Sequence, residues 1–146
     1  MRRDVTGPQK ELTPRRKEHW PDAALSAALG KINHAAFDYY PRLQRVNQFV
    51  ASRLSEHISL QDVAEVAAYE TTYFCAVFHR RVGVPFRTWL TMARVTKATE
   101  LIRSRDHSMS DVAHAVGFGS VRAFERAFKS VVLSSPREYK KITRPC

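Results

Sequence analysis

The sequence predicts an all-α protein, a seven-helix bilobal domain whose two lobes are joined by one long linker helix. Three observations carry that prediction. Apolar residues recur at intervals of three and four between Leu43 and Tyr139, the spacing that lines one face of a helix. Only five glycines occur in 146 residues, and no stretch reads convincingly as a strand. The order short helix, turn, longer helix also occurs twice.

Taken in chain order, residues 1–41 form a leader, flexible or partly helical. It holds Pro8, Pro14 and Pro21 and the basic cluster Arg15-Arg16-Lys17, with little apolar periodicity. A short helix is expected over 23–35, and Tyr40-Pro41 interrupts it. The folded domain is expected at 42–142, with 143–146 as a tail. Leu43, Val46, Phe49, Val50 and Leu54 give its first apolar stripe. Ser59-Leu-Gln-Asp62 is a capping-box pattern opening a short helix, in which the serine side chain and the residue three on satisfy each other's backbone N–H. Tyr73, Phe74, Val77 and Phe78 mark the next helix, which ends near Gly83. Pro85 suits the first turn of a helix running to Ser104, with Phe86, Trp89, Leu90, Ala93, Ala98, Leu101 and Ile102 facing inward. Ser108-Met-Ser-Asp111 repeats the capping pattern, Ser120 caps a helix bearing Phe124, Ala127 and Phe128, and Ser135-Pro136-Arg-Glu138 caps the last.

Sliding one half of this region over the other exposes a duplication. Ser59, Asp62, Val63, Ala64 and Tyr69 fall on Ser108, Asp111, Val112, Ala113 and Phe118 at an offset of 49. Phe74 and Phe78 fall on Phe124 and Phe128 at 50, and Pro85 on Pro136 at 51. Each copy, about 59–82 and about 108–131, has the spacing of a helix-turn-helix: a small residue, Ala64 or Ala113, lets two helices cross closely, and the second helix projects outward. The linker helix, about 85–104, spans roughly 28 Å at ~1.5 Å per residue. With the width of the units added, the projecting helices come to lie about one turn of B-DNA apart, near ~34 Å.

Charge points to the same partner. Lys plus Arg number 24 against 14 Asp plus Glu, a net +10, and 42–146 alone carries 17 against 9. The excess belongs to the folded part, so a polyanion such as double-stranded DNA is the expected partner. No apolar run approaches the ~18 residues of a membrane span, and Met1–Thr6 lacks the apolar stretch of a secretory signal; a soluble, cytoplasmic protein is expected, with no membrane partner. Cys75 and Cys146 are too few for a disulfide framework, and no Cys/His set has metal-ligand spacing. No cofactor is implied. A nucleophile with its base, paired carboxylates and a phosphate loop are all missing, so an enzyme is not expected. Cys75 as a redox sensor has only His79 nearby to lower its pKa, and His114 reads as a surface residue.

The residues resemble the DNA-binding domain of the AraC/XylS family of transcription regulators over about 42–142. The likeness rests on Ile58-Ser59-Leu60, Val63-Ala64, Phe78, Gly83, the series Arg94, Ala98, Leu101, Ile102, and Val112-Ala113-His-Ala-Val-Gly117-Phe118. It continues through Phe124-Glu-Arg126-Ala-Phe128-Lys129 to Ser135-Pro136-Arg-Glu-Tyr139. The resemblance implies a monomeric, sequence-specific transcription regulator, usually an activator that touches RNA polymerase, laying two recognition helices into successive major grooves. The residues assigned to base reading are Thr71, Thr72, Cys75 and Ala76 in the first unit and Val121, Arg122, Ala123 and Arg126 in the second. An arginine fork matches the two major-groove acceptors of guanine. His79, Arg80, Arg81 and Lys129 are assigned to the DNA backbone. The chain departs from the family where Glu70 replaces the usual Ser or Thr before the first recognition helix, leaving Thr71 to cap; where Ala76 replaces a frequent Arg; and where Leu133 replaces a frequent Gly. Two other readings remain open: a non-specific architectural DNA-binding protein, and an interaction module with impaired DNA recognition.

Overall fold

The structure, a computed structural model, describes residues 20–104 and 106–143. Among them are nine helices and no strand: α1 (Trp20–Leu29), α2 (Ala35–Tyr39), α3 (Pro41–Ser52), α4 (Leu60–Val66), α5 (Thr71–Val82), α6 (Phe86–Ser104), α7 (Met109–Ala115), α8 (Val121–Val132) and α9 (Pro136–Thr143). The last seven are those expected for the folded domain; α1 answers in part to the short helix expected over 23–35, and α2 adds a further helix in the stretch read as a leader. Leu25, Ile32, Ala36 and Phe37 are buried there, but two helices of ten and five residues are too short to display a periodic stripe. Arg15-Arg16-Lys17 and Cys146 lie outside the described residues.

The duplication is reproduced helix for helix. Units α4–α5 and α7–α8 each pair a 7-residue helix with a 12-residue helix. Each unit has its own core, and α6 belongs to both. Phe86, Trp89, Leu90 and Met92 pack with Leu43, Val46, Val63, Phe74 and Phe78. One turn further on, Val95, Ala98 and Ile102 pack with Val112, Phe124, Phe128 and Tyr139. All of these side chains are at most 7% exposed, and truncating one of the buried phenylalanines to alanine costs about 3–5 kcal/mol. The buried Ala64 and Ala113 sit where the two helices of each unit cross. Phe118, expected in the core, is half-buried at its edge.

Local chemistry sets the helix starts. Ser59 Oγ accepts from the Asp62 N–H while the Asp62 carboxylate accepts from the Ser59 N–H, and this holds the carboxyl below its ordinary range. Ser135 and Glu138 repeat the exchange at α9. Ser108 and Ser120 each accept one N–H. Both long helices of the units end in the left-handed region, at Gly83 (φ 98°) and Leu133 (φ 66°).

The two lobes meet on Arg94. Its guanidinium donates to the Gly117 carbonyl in the second unit (3.2 Å) and to the Glu56 carbonyl in the first (2.8 Å). Gly117, at φ 92°, lets the Leu54 carbonyl approach so closely that a Cβ would collide with it. Burial lowers the Arg94 pKa, and Arg94 Nε is buried without a partner.

Candidate nucleic-acid interface

A helix that reads DNA must be held by one face and present the other. In α5, Phe74, Val77, Phe78 and Val82 are buried, while Thr72, Tyr73, Ala76, His79 and Arg80 are exposed. At about 100° per residue, Thr72, Ala76 and His79 fall in one narrow outward sector, with Arg80 beyond its edge. Phe124, Phe128 and Val132 anchor α8, and Arg122, Arg126 and Lys129 share its outward sector. The spacing of 50 between the two helices superimposes Thr72 on Arg122, Ala76 on Arg126 and His79 on Lys129. The structure thus brings together, on equivalent faces, six of the twelve residues assigned to DNA.

The other six are placed differently. Thr71, Cys75, Val121 and Ala123 are half-buried; Cys75 packs against the first core and Val121 against the second. Arg80 is exposed beyond the edge of the α5 sector. Arg81 points to the side of α5, its guanidinium 3.9 Å from the centre of the Tyr40 ring.

Among the described residues, no carboxylate lies within ion-pair distance of Arg122, Arg126, Lys129 or Arg80; the ion pairs found are Arg53–Glu56, Lys97–Glu100, Arg103–Asp22 and Lys140–Asp106. Glu125, four residues before Lys129 and beside Arg126 in sequence, leaves both cations unpaired. A guanidinium already committed to a carboxylate would have to surrender that bond to read a base; these need not.

The start of α5 corrects one expectation. Glu70, not Thr71, caps the helix: its Oε1 accepts from the Tyr73 N–H at 3.1 Å. The side chain is long enough to fold back, and its negative charge suits the positive end of the helix dipole. Hydrogen bonds from the Thr72 and Tyr73 backbone hold the carboxyl below its ordinary pKa. Leu133, where glycine was the usual residue, nonetheless adopts the left-handed conformation that closes α8, with its N–H donating to Lys129 O at 2.9 Å.

Several supporting residues carried little sequence signal. Arg42 and Arg45 of α3 donate to the Ala68 and Val66 carbonyls at the end of α4, each at 3.4 Å, and Arg42 lies over the Tyr69 ring. Asn33 caps the other end of α5: its N–H donates to Val82 O (2.8 Å) and its Nδ2 to Arg81 O (3.1 Å). A lone Asn between two short helices has no pattern by which its partner 48 residues away could be found.

Two capped, outward-facing helices on a duplicated scaffold, one bearing three cations without an ion-pair partner among the described residues, define a double helix-turn-helix nucleic-acid-binding domain. Residues 43–142 match the family described as a helix-turn-helix domain, and the chain belongs to that family, in its AraC/XylS form. It is 33% identical over 119 residues to the transcriptional activator NphR of Rhodococcus, covering 81% of this chain and 35% of that one. Among solved structures it is similar to the DNA-binding domain of the global transcriptional factor AdpA in complex with a target DNA (28% identity, TM-score 0.64, 68% of this chain and 93% of that one). It also shares the fold of an AraC-type regulator from Chromobacterium violaceum (20% identity, TM-score 0.65, 73% and 96%). The chain spans well under two thirds of the length of the curated relatives it matches, 41%, 35% and 33% for three of them. No helix among the described residues is long and apolar enough to cross a membrane.

Proposed function

We propose that this chain reads a specific double-stranded DNA site as a monomer, laying α5 and α8 into successive major grooves to regulate transcription in the cytoplasm. The observation that carries this reading is the row Arg122, Arg126, Lys129 on one face of α8, without a carboxylate partner among the described residues and held by a buried opposite face. Arg122 and Arg126 face base edges, where each guanidinium fork can take guanine O6 and N7. Lys129, with Arg80 and His79 on α5, meets phosphates and supplies position and salt dependence. On α5, Thr72 and Ala76 offer a small hydroxyl and a methyl, suited to shape and to the thymine methyl. Thr71, Cys75, Val121 and Ala123 border the contact from half-buried positions, and Arg81 acts through its stack on Tyr40. Activation through RNA polymerase is part of the proposal, in keeping with NphR, which is named an activator. The chain has no catalytic role in this reading.

Selection of bound duplexes from a random pool, followed by footprinting, tests it: two protected major-groove segments on one side of the duplex are expected. Arg126→Ala should then weaken the selected site by ~1–3 kcal/mol and relax preference at one position. Equal weakening on selected and random DNA overturns the role of Arg126. The lack of a hydrogen-bonding side chain at Ala76 favours a second reading, an architectural protein without sequence preference; random duplex competing as well as the selected site would establish it.

A further inference from the structure

A reader with two projecting helices can demand a fixed spacing between its half-sites only if the angle between those helices is fixed. The passage from α5 to α6 is the non-helical Gly83, Val84 and Pro85; Gly83, held at φ 98°, is the residue there whose missing Cβ leaves the backbone most freedom, which makes this passage the hinge. The segment α1–α2 closes on that hinge. Asn33 bonds the Arg81 and Val82 carbonyls immediately before it, and the Lys31 carbonyl lies so near Gly83 that a Cβ there would stand 2.9 Å from it. Phe37 of α2 then stacks on Trp89 of α6 at 5.1 Å and meets Phe78 of α5 edge-on at 6.0 Å. One short segment therefore holds both the helix before the hinge and the helix after it.

The other end of the same segment is tied to the second unit. The Asp22 carboxylate accepts from the hydroxyl of the buried Tyr139 in α9 at 2.9 Å and pairs with Arg103 at the end of α6 at 3.4 Å. Between these anchors α1 lies along α8 and α6, with Leu25 buried.

We propose that residues 22–37 are a strap that sets the half-site spacing this protein accepts, with Asn33 and Asp22 as its positioning residues at the first and second units. This rests on the two-groove reading above and adds to it a determinant that touches no DNA. Moving one half-site by a base pair shifts it by about 3.4 Å and turns it by about 35° around the duplex; a strapped pair of helices resists that movement, whereas a pair held by α6 and the Arg94 contacts alone resists it less.

The test compares the full chain with Asp22→Ala/Asn33→Ala, at a temperature where both are folded. The probes are the duplex selected by the unaltered protein, versions with one base pair inserted or removed between the half-sites, and the second half-site alone. The unaltered protein should lose about ten-fold in affinity per base pair of displacement. The variant should lose less than about three-fold, while binding the isolated half-site equally well. Hydrogen exchange without DNA supplies a readout independent of the site: amides of Val82–Phe86 should exchange about ten-fold faster in the variant. An unchanged spacing penalty, or unchanged exchange at the hinge, overturns the strap. Should the unaltered protein select no paired half-sites, the two-groove reading fails, and the exchange measurement still decides whether the strap holds the hinge.

Discussion

The junction between the lobes offers a sharp perturbation, Gly117→Ala. Three costs can be worked from the geometry. The residue sits at φ 92°, where an L side chain costs about 1–2 kcal/mol. The new methyl would collide with the Leu54 carbonyl, which is backbone and cannot swing aside, and would stand 3.0 Å from Arg94 Cζ and 3.1 Å from its Nε. Overpacking of that kind costs about 1–3 kcal/mol. Relieving it pushes Arg94 from the Gly117 and Glu56 carbonyls, and a hydrogen bond from a charged donor contributes about 1.5–3 kcal/mol. The three share one cause and do not add fully. The expected loss is about 3–5 kcal/mol, a fall in Tm on the order of 10–20 °C for a domain of this size. Gly119 supplies the control two residues on: nothing lies within 4 Å of a Cβ built there and its φ is not in the left-handed range. Gly119→Ala should therefore be neutral or stabilising by about 0.4–1 kcal/mol through the unfolded chain. Thermal unfolding followed by circular dichroism separates the two. If Gly117→Ala melts within about 3 °C of the parent, or together with Gly119→Ala, the close approach of the lobes does not contribute as argued.

Three further outcomes follow from single sites. Leu133 holds a left-handed conformation while 65% exposed, so Leu133→Gly removes strain without removing packing and should raise stability by about 0.5–1 kcal/mol, read as a higher denaturant midpoint. Burial, and then the Asp22 carboxylate accepting from its hydroxyl, pushes the Tyr139 pKa from 10.0 up to about 12. The folded state thus favours the neutral phenol; its contribution is complete below pH 10 and is lost as pH rises from 10 towards 12, so Tm should fall more steeply across that window in the parent than in Tyr139→Phe. Parallel slopes would contradict the coupling. Glu70→Ser keeps a hydroxyl cap and removes a negative charge from the end of α5 presented to DNA; affinity at low salt should rise on the order of five-fold, with Tm nearly unchanged, in titrations against the selected duplex.

Much of this was legible in the sequence because it is local or repeated. Capping serines announce helix starts within three residues, and the Phe74/Phe124 and Phe78/Phe128 pairs fix the two cores by their spacing alone. The free row on α8 could be read from Arg122, Arg126 and Lys129, since positions three and four apart share a helix face. Contacts that depend on residues distant in the chain were not legible. Asn33 to Arg81 and Asp22 to Tyr139 each join a short, weakly patterned segment to a partner far along the sequence, so the helix expected over 23–35 carries no sign of its docking and α2 no sign at all. The cap at Glu70 escapes a sequence reading for a different reason: residue preference ranks short side chains first, and only in the folded chain does a longer one turn back onto Tyr73 N.

The two recognition helices are equal as scaffold and unequal as readers, and that inequality gives the rigid connection its importance. On α8 three exposed cations have no carboxylate partner among the described residues. On α5 the equivalent places hold Thr72, Ala76 and His79, and a carboxylate caps the helix. Alone, the first unit would bind DNA weakly, because a hydroxyl and a methyl contribute little against the loss of translational and rotational freedom. Tethered to a second unit that is already bound, it meets its groove at an effective concentration set by how narrowly the connection confines it. A loose hinge would spread α5 over many orientations and dilute that advantage. In the proposed reading, α5, held by α6, by Arg94 across the lobes and by Asn33 at its own end, would be presented at one angle, and even small contacts at Thr72 and Ala76 would then distinguish one sequence from another. Restoring an arginine by Ala76→Arg should thus raise affinity for a matching guanine and make binding less dependent on the strap: Asp22→Ala/Asn33→Ala should weaken the full site less in that background than in the parent. Equal weakening in both backgrounds would separate the strap from the reading power of α5 and undo this account of the asymmetry.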